Sequence, residues 1–272
     1  MKNNDILYDP VTAIDESKAT GTTAEIFNDI RSTMAIPLIT SIWRGLTGMQ
    51  NNLSEVWSIA KPIYQSGEPK KVLLKMIDQL NLPIIDNTIY NIDLTKEDLS
   101  NISQIIKVYN ISNGMNLIAL SALVMVDFKP LDSKKIIPIK LLDGKFPQLM
   151  TKDQIAPKTW NIIRIVNSFG SPSGIDSHVA TLWRHLGHWP NFLFLVNEEF
   201  EKLLNKGVIE ELMGDVLSFV KNDGIVLRKD SSKSHNIDNL AVTTITNYVH
   251  TKYQVIRMVV LGNLLQKWIE NN

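Results

Sequence analysis

The residues best suited to chemistry occur in two stretches of the same type. Trp43-Arg44 recurs as Trp183-Arg184, 140 residues further on (184 − 44). An aromatic beside a guanidinium, present twice, can wall a cavity and clamp a small carboxylate bidentately. The competing reading of Arg44 and Arg184 is a local tie to an acid or helix carbonyl, and that of Trp43 and Trp183 is core packing. Around the second copy stand Asp176, His178, His185 and His188. Asp176 is either a base, brought inward by the Gly170 to Gly174 loop, or the N-cap of the helix that carries Trp183. His178 is a candidate proton acceptor near neutral pH. His185 and His188 are neighbours on a helix, but the first copy has Gly45 and Gly48 there and no acid recurs at ligand spacing, so no metal site is expected. Thr181, Asn191, Tyr109 and Tyr248 offer hydroxyl and amide groups to a cavity. Asn51 and Asn191 also read as caps, and Tyr109 and Tyr248 as equivalent helix starts.

The elements that must position these residues are helical and written twice. Aligning Ile42 with Leu182 and running without a gap to Gly67 over Gly207 gives seven identities in 26 positions (67 − 42 + 1). Ordinary composition gives about two. A second echo sets Tyr109 and the apolar run after it against Tyr248 and the run from Tyr253 to Val260, at an offset of 139 (248 − 109). From Leu186 to Leu204 apolar residues recur every three or four positions, with Pro190 placed for a first turn and Leu182 to His185 set off as a short helix. Gly67 and Gly207 suit the left-handed position that closes a helix. Ser100 to Val126 and Asn236 to Glu270 carry the same period, the latter interrupted only by Gly262. Strand signals are sparse: Ile136 to Ile139 holds a proline and reads as an edge strand or extended linker. The expected architecture is all-α, an intramolecular pseudo-dimer of two sequence-related repeats. The first spans 1–128, a Pro-rich linker 129–157, and the second 158–272.

Composition narrows the partners. Lys+Arg 28 against Asp+Glu 28 leaves no net charge, which argues against nucleic acid. The absence of cysteine excludes disulfides, thiolate metal sites and thiol nucleophiles, and suits a cytoplasmic location. No signal peptide is read at the N-terminus, and the longest apolar run, Leu117 to Val126, is about half the ~20 residues of a membrane span. Nucleotide loops and nucleophile elbows are missing.

Thr33 to Pro37 leading into Ile42-Trp43-Arg44, and Leu182 to Leu186 leading into His188-Trp189-Pro190, resemble the DehI-type (group I) 2-haloacid dehalogenases over nearly the whole chain. The resemblance implies an all-α pseudo-dimer with its site between the halves. It also implies hydrolysis of small 2-haloalkanoic acids by an Asp-activated water, without metal or organic cofactor. The family's aspartate immediately precedes an aromatic-Arg pair, and its counterpart here is Leu182. The alternative is therefore a non-catalytic relative that binds a small carboxylic acid or serves as a structural module, possible as a homodimer, with neither nucleic acid nor membrane as partner.

Overall fold

The computed structural model describes residues 13–48, 52–86, 89, 93–124, 147–172, 179–222 and 237–272. Asn51, Asp176, His178, Ile136 to Ile139 and most of the expected linker lie outside the described residues. The described chain is all helical: α1 (Gly21–Met34), α2 (Ser41–Leu46), α3 (Asn52–Gln65), α4 (Glu68–Gln79), α5 (Lys96–Val124), α6 (Pro157–Ser168), α7 (Thr181–Leu186), α8 (Pro190–Asn205), α9 (Val208–Asn222), α10 (Asn239–His250) and α11 (Arg257–Glu270). None of these is long and apolar enough to cross a membrane.

Local chemistry sets most boundaries. Pro157 and Pro190 open α6 and α8 at positions where a missing N–H costs nothing. Gly67 and Gly207 both have φ of 73°, and each donates its N–H back into the helix it follows, to Tyr64 and Leu204. α2 and α7 are each six residues long and begin 140 positions apart (181 − 41). The helices around them follow in the same order at nearly the same offset.

α5 is the axis of the molecule. It is buried on all sides over its second half, and α3, α4, α7, α10 and α11 pack on it. Its buried amides join it to the rest. Asn116 accepts from Trp43 Nε1 (3.3 Å) and Tyr64 Oη (2.8 Å) and donates to Thr40 Oγ1 (2.9 Å), tying α2 and α3 to α5. Asn110 donates to Gly262 O (2.9 Å) and Gln266 Oε1 (2.8 Å), which locks α11 across it. Trp43, Trp57 and Tyr64 form an edge-on aromatic cluster on one side, and Phe192 stacks on Trp268 on the other.

The span from Asn236 to Glu270 departs from the sequence reading. The break falls at Lys252–Ile256, a wide turn in which Gln254 takes φ −108°, ψ −115°, while Gly262 lies inside α11. A helix-interior glycine is tolerated here because Asn110 occupies the space a side chain would need. Tyr109 and Tyr248 do not start helices: the first is mid-way along α5 and the second is near the end of α10.

A methyl group at Gly262 overlaps Asn110 Oδ1. Gly262→Ala is expected to cost about 1–3 kcal/mol despite alanine's better helix propensity. Adding Asn110→Ala should make the double variant less destabilised than the sum of the singles, as read by chemical denaturation. Strict additivity would contradict the crossing described here.

Candidate functional site

Two cavities meet at Tyr109 and Thr181, which line both. The smaller, about 70 Å³, is referred to as the tyrosine cavity. The first turns of α2 and α7 meet there, bringing Thr40 and Ser41 beside Ala180, Thr181 and Leu182. Tyr109 and Asn113, one turn apart on α5, face Tyr248 from α10. The turn at 252–256 and the start of α11 complete the wall with Tyr253, Gln254, Val255, Arg257 and Met258. Tyr253 is its exposed member. The lining is hydroxyl-rich and apolar; among the described residues it includes no carboxylate and no imidazole, and its one charged group is Arg257.

The larger, about 490 Å³, is the arginine cavity. Arg44, Arg184 and His185 line it, with the segments 13–18, 37–39 and 147–151 around them. Both arginines are buried and committed to structure. Arg44 donates to Ile14 O (3.2 Å) and Thr181 Oγ1 (3.1 Å), and Arg184 donates through Nε to Met150 O (3.3 Å). Each therefore ties down a backbone segment that precedes it in the chain. The Arg44–Thr181 bond is also a buried contact between α2 and α7.

His185 joins the cavities chemically. Its Nε2 lies 2.7 Å from Pro147 O, and a carbonyl only accepts, so Nε2 carries the proton. Nδ1 is then the acceptor for Tyr109 Oη at 3.4 Å. The phenol donates away toward the imidazole and leaves its lone pairs for any cavity donor. Burial raises the Tyr109 hydroxyl's pKa above the usual phenol value, so it stays protonated. Burial also lowers His185 to about 4, against the pull of the Pro147 carbonyl, with His188 and Arg184 adding to the fall.

The sequence candidates separate into three groups. Thr181, Tyr109 and Tyr248 meet in the tyrosine cavity, while Arg44 and Arg184 line the other. Trp43 and Trp183 are fully buried in the core and line neither. Asn191 is exposed on the first turn of α8, where Trp189 holds the cap position, so it is neither cavity amide nor cap. His188 is exposed and bonds Gln148 O. No three His, Asp or Glu side chains converge as a metal site among the described residues. Asn113, an amide near Tyr109 that the sequence also offered to the cavity, lines it, whereas Arg257 was missed as a cavity residue. The available signal for Arg257 was a lone charge in the apolar run Val255 to Val260, set against Ile118 in the first copy (257 − 139).

No protein-family model matches the chain, and no curated protein matches it in sequence. Solved structures match its fold. A D-2-haloacid dehalogenase mutant in complex with D-2-CPA superposes with TM-score 0.74 at 10% identity, covering 95% of this chain and 96% of that one. A D-2-haloacid dehalogenase mutant gives 0.68 at 10% identity, and a D-2-haloacid dehalogenase in complex with L-LA gives 0.65 at 11%, with the same coverage. The chain thus has the D-2-haloacid dehalogenase fold.

Because the unfolded imidazole takes its proton near 6.5 and the folded His185 only near 4, the unfolded chain binds more protons between those values. Stability should therefore be lost as the pH is lowered from about 6.5 to about 4, by on the order of 3 kcal/mol when complete. His185→Gln should flatten this part of the stability–pH profile. An unchanged profile would place the titration on another group.

Proposed function

We propose that this chain binds a small carboxylic acid in the tyrosine cavity, using the dehalogenase fold without that family's hydrolytic aspartate. The reading includes the pseudo-dimer: two sequence-related helical halves with a ligand site where their α2 and α7 turns meet. Leu182 carries it. It lies in the first turn of α7, on the cavity wall, at the position where the resemblance calls for the base. Direct attack of water at a halogen-bearing carbon requires a group that takes the water's proton within hydrogen-bond reach. Leucine has none, and among the described residues the neighbouring wall offers phenols, the hydroxyls of Thr40, Ser41 and Thr181 and the amides of Asn113 and Gln254, which orient a ligand but are not bases for that proton. Small volume and apolar walls at Leu182, Val255 and Met258 favour an acid with a short tail over a sugar or nucleotide.

Titration calorimetry with propanoate and with D- and L-2-chloropropanoate should give one saturable site, with a rise in Tm on ligand addition. Chloride should not appear above the protein-free rate. Leu182→Phe, which fills the cavity, should weaken binding at least about tenfold. Chloride release by the wild-type protein would establish the hydrolytic reading instead. Failure of all three acids to bind would remove the small-acid reading.

A further inference from the structure

We propose that Arg257 is the anion anchor of the tyrosine cavity and that the ligand is a monoanionic acid with a short apolar tail. This rests on the small-acid reading of the cavity and assigns the group that recognises the acid.

The side chain is 3% exposed, so its charge is almost wholly removed from water. Among the described residues little neutralises it. Nη1 donates to the carbonyl oxygens of Asn167 and Phe169, Nε is buried with no hydrogen-bond partner, and no ion pair among the described residues includes it. Burial alone lowers it, to about 10, so it remains a cation at neutral pH. A buried guanidinium capped only by neutral carbonyls is costly, and an anion in the adjoining space offsets that cost.

The geometry selects a carboxylate. With Nη1 held by the two carbonyls and Nε closed off from any water-sized space, Nη2 is the donor left for the cavity, and a carboxylate oxygen is its charge-complementary acceptor. Arg257 begins α11 directly after the 252–256 turn, and Gly170 lets its stem pass: the glycine's missing Cβ would lie 3.3 Å from Arg257 Cγ. Met258, Val255 and Leu182 supply the apolar wall for the tail. About 70 Å³ holds about five waters at roughly 10–15 Å³ each, which a three- or four-carbon acid replaces and a dianion with two separated heads does not. Arg44 and Arg184, the anchors suggested by the repeat, line the other cavity and already hold Ile14, Thr181 and Met150.

The test is a titration of ¹⁵N-arginine-labelled protein with propanoate, propanamide and chloride, watched at the Nε–H resonances. The Arg257 signal, identified by its loss in Arg257→Lys, should move with propanoate and saturate with the calorimetric Kd, and should stay in place with propanamide. Arg257→Lys and Arg257→Met should bind propanoate about 10- to 100-fold more weakly than wild type. If either variant fails to fold, the wild-type titration decides the matter. Wild-type binding with a stationary Arg257 signal would overturn the anchor while leaving the small-acid reading intact. Absence of any wild-type binding would overturn that reading itself. An equal response to chloride would overturn the carboxylate assignment and leave a simple anion site.

Discussion

The close crossing of α5 and α11, where Asn110 fills the space beside Gly262, is the constraint on which the rest of the structure depends. It fixes the two helices in register. Tyr109 precedes Asn110 by one residue and Asn113 follows by one turn, so the crossing aims both at the cavity. On the other helix, Arg257 stands five residues before Gly262 and is set by the same contact. The chain entering from α10 meets this fixed position through the wide turn at 252–256. A single glycine–amide contact therefore sets the cavity's wall and the placement of its one charge. Asn116, two turns beyond Asn110, repeats the device on the other side, joining the start of α2 through Thr40 and the aromatic cluster through Trp43 and Tyr64. Buried amides suit this task because each serves several partners at once and leaves no net charge to neutralise.

The three buried arginines illustrate how differently one residue type can be used. Arg44 and Arg184 hold backbone carbonyls of the segments that pass over them, and Arg44 also crosses to Thr181. They close the fold around the larger cavity. Arg257 holds carbonyls with one nitrogen and leaves another buried without a partner. A fold selected for stability alone would place a methionine or leucine there, as the first copy places Ile118. The cavity lies where α5 runs unbroken past α10 and α11, which are divided at 252–256, with the cation immediately after the division.

Much of this was legible in the sequence, because it is local. Pro190, Gly67, Gly207 and the spacing of Leu182 to His185 act within one turn of the chain, and each sits where its conformational preference places it. The all-helical class followed from period alone. What could not be read depends on distance in space. Paired Trp and Arg positions looked like a cavity because they repeat, yet repetition preserves a residue's place in its own half and says nothing of which face meets the other half. Trp43 and Trp183 are core, the arginines turn to the larger cavity, and Asn191 faces solvent. Gly262 read as a breaker because glycine lowers helix propensity, whereas its role is to admit Asn110. Arg257 was hidden within an apolar run where the eye follows the hydrophobic period.

The central claim is that this fold holds a small acid by a guanidinium that pairs with no acid among the described residues, without an aspartate to hydrolyse it. A crystal structure of the protein soaked with D-2-chloropropanoate tests it most directly. The account predicts intact acid between Tyr109 and Tyr248, with its carboxylate on Nη2 of Arg257 and the chlorine retained near Leu182. Acid bound between Arg44 and Arg184, with the tyrosine cavity empty, would contradict it.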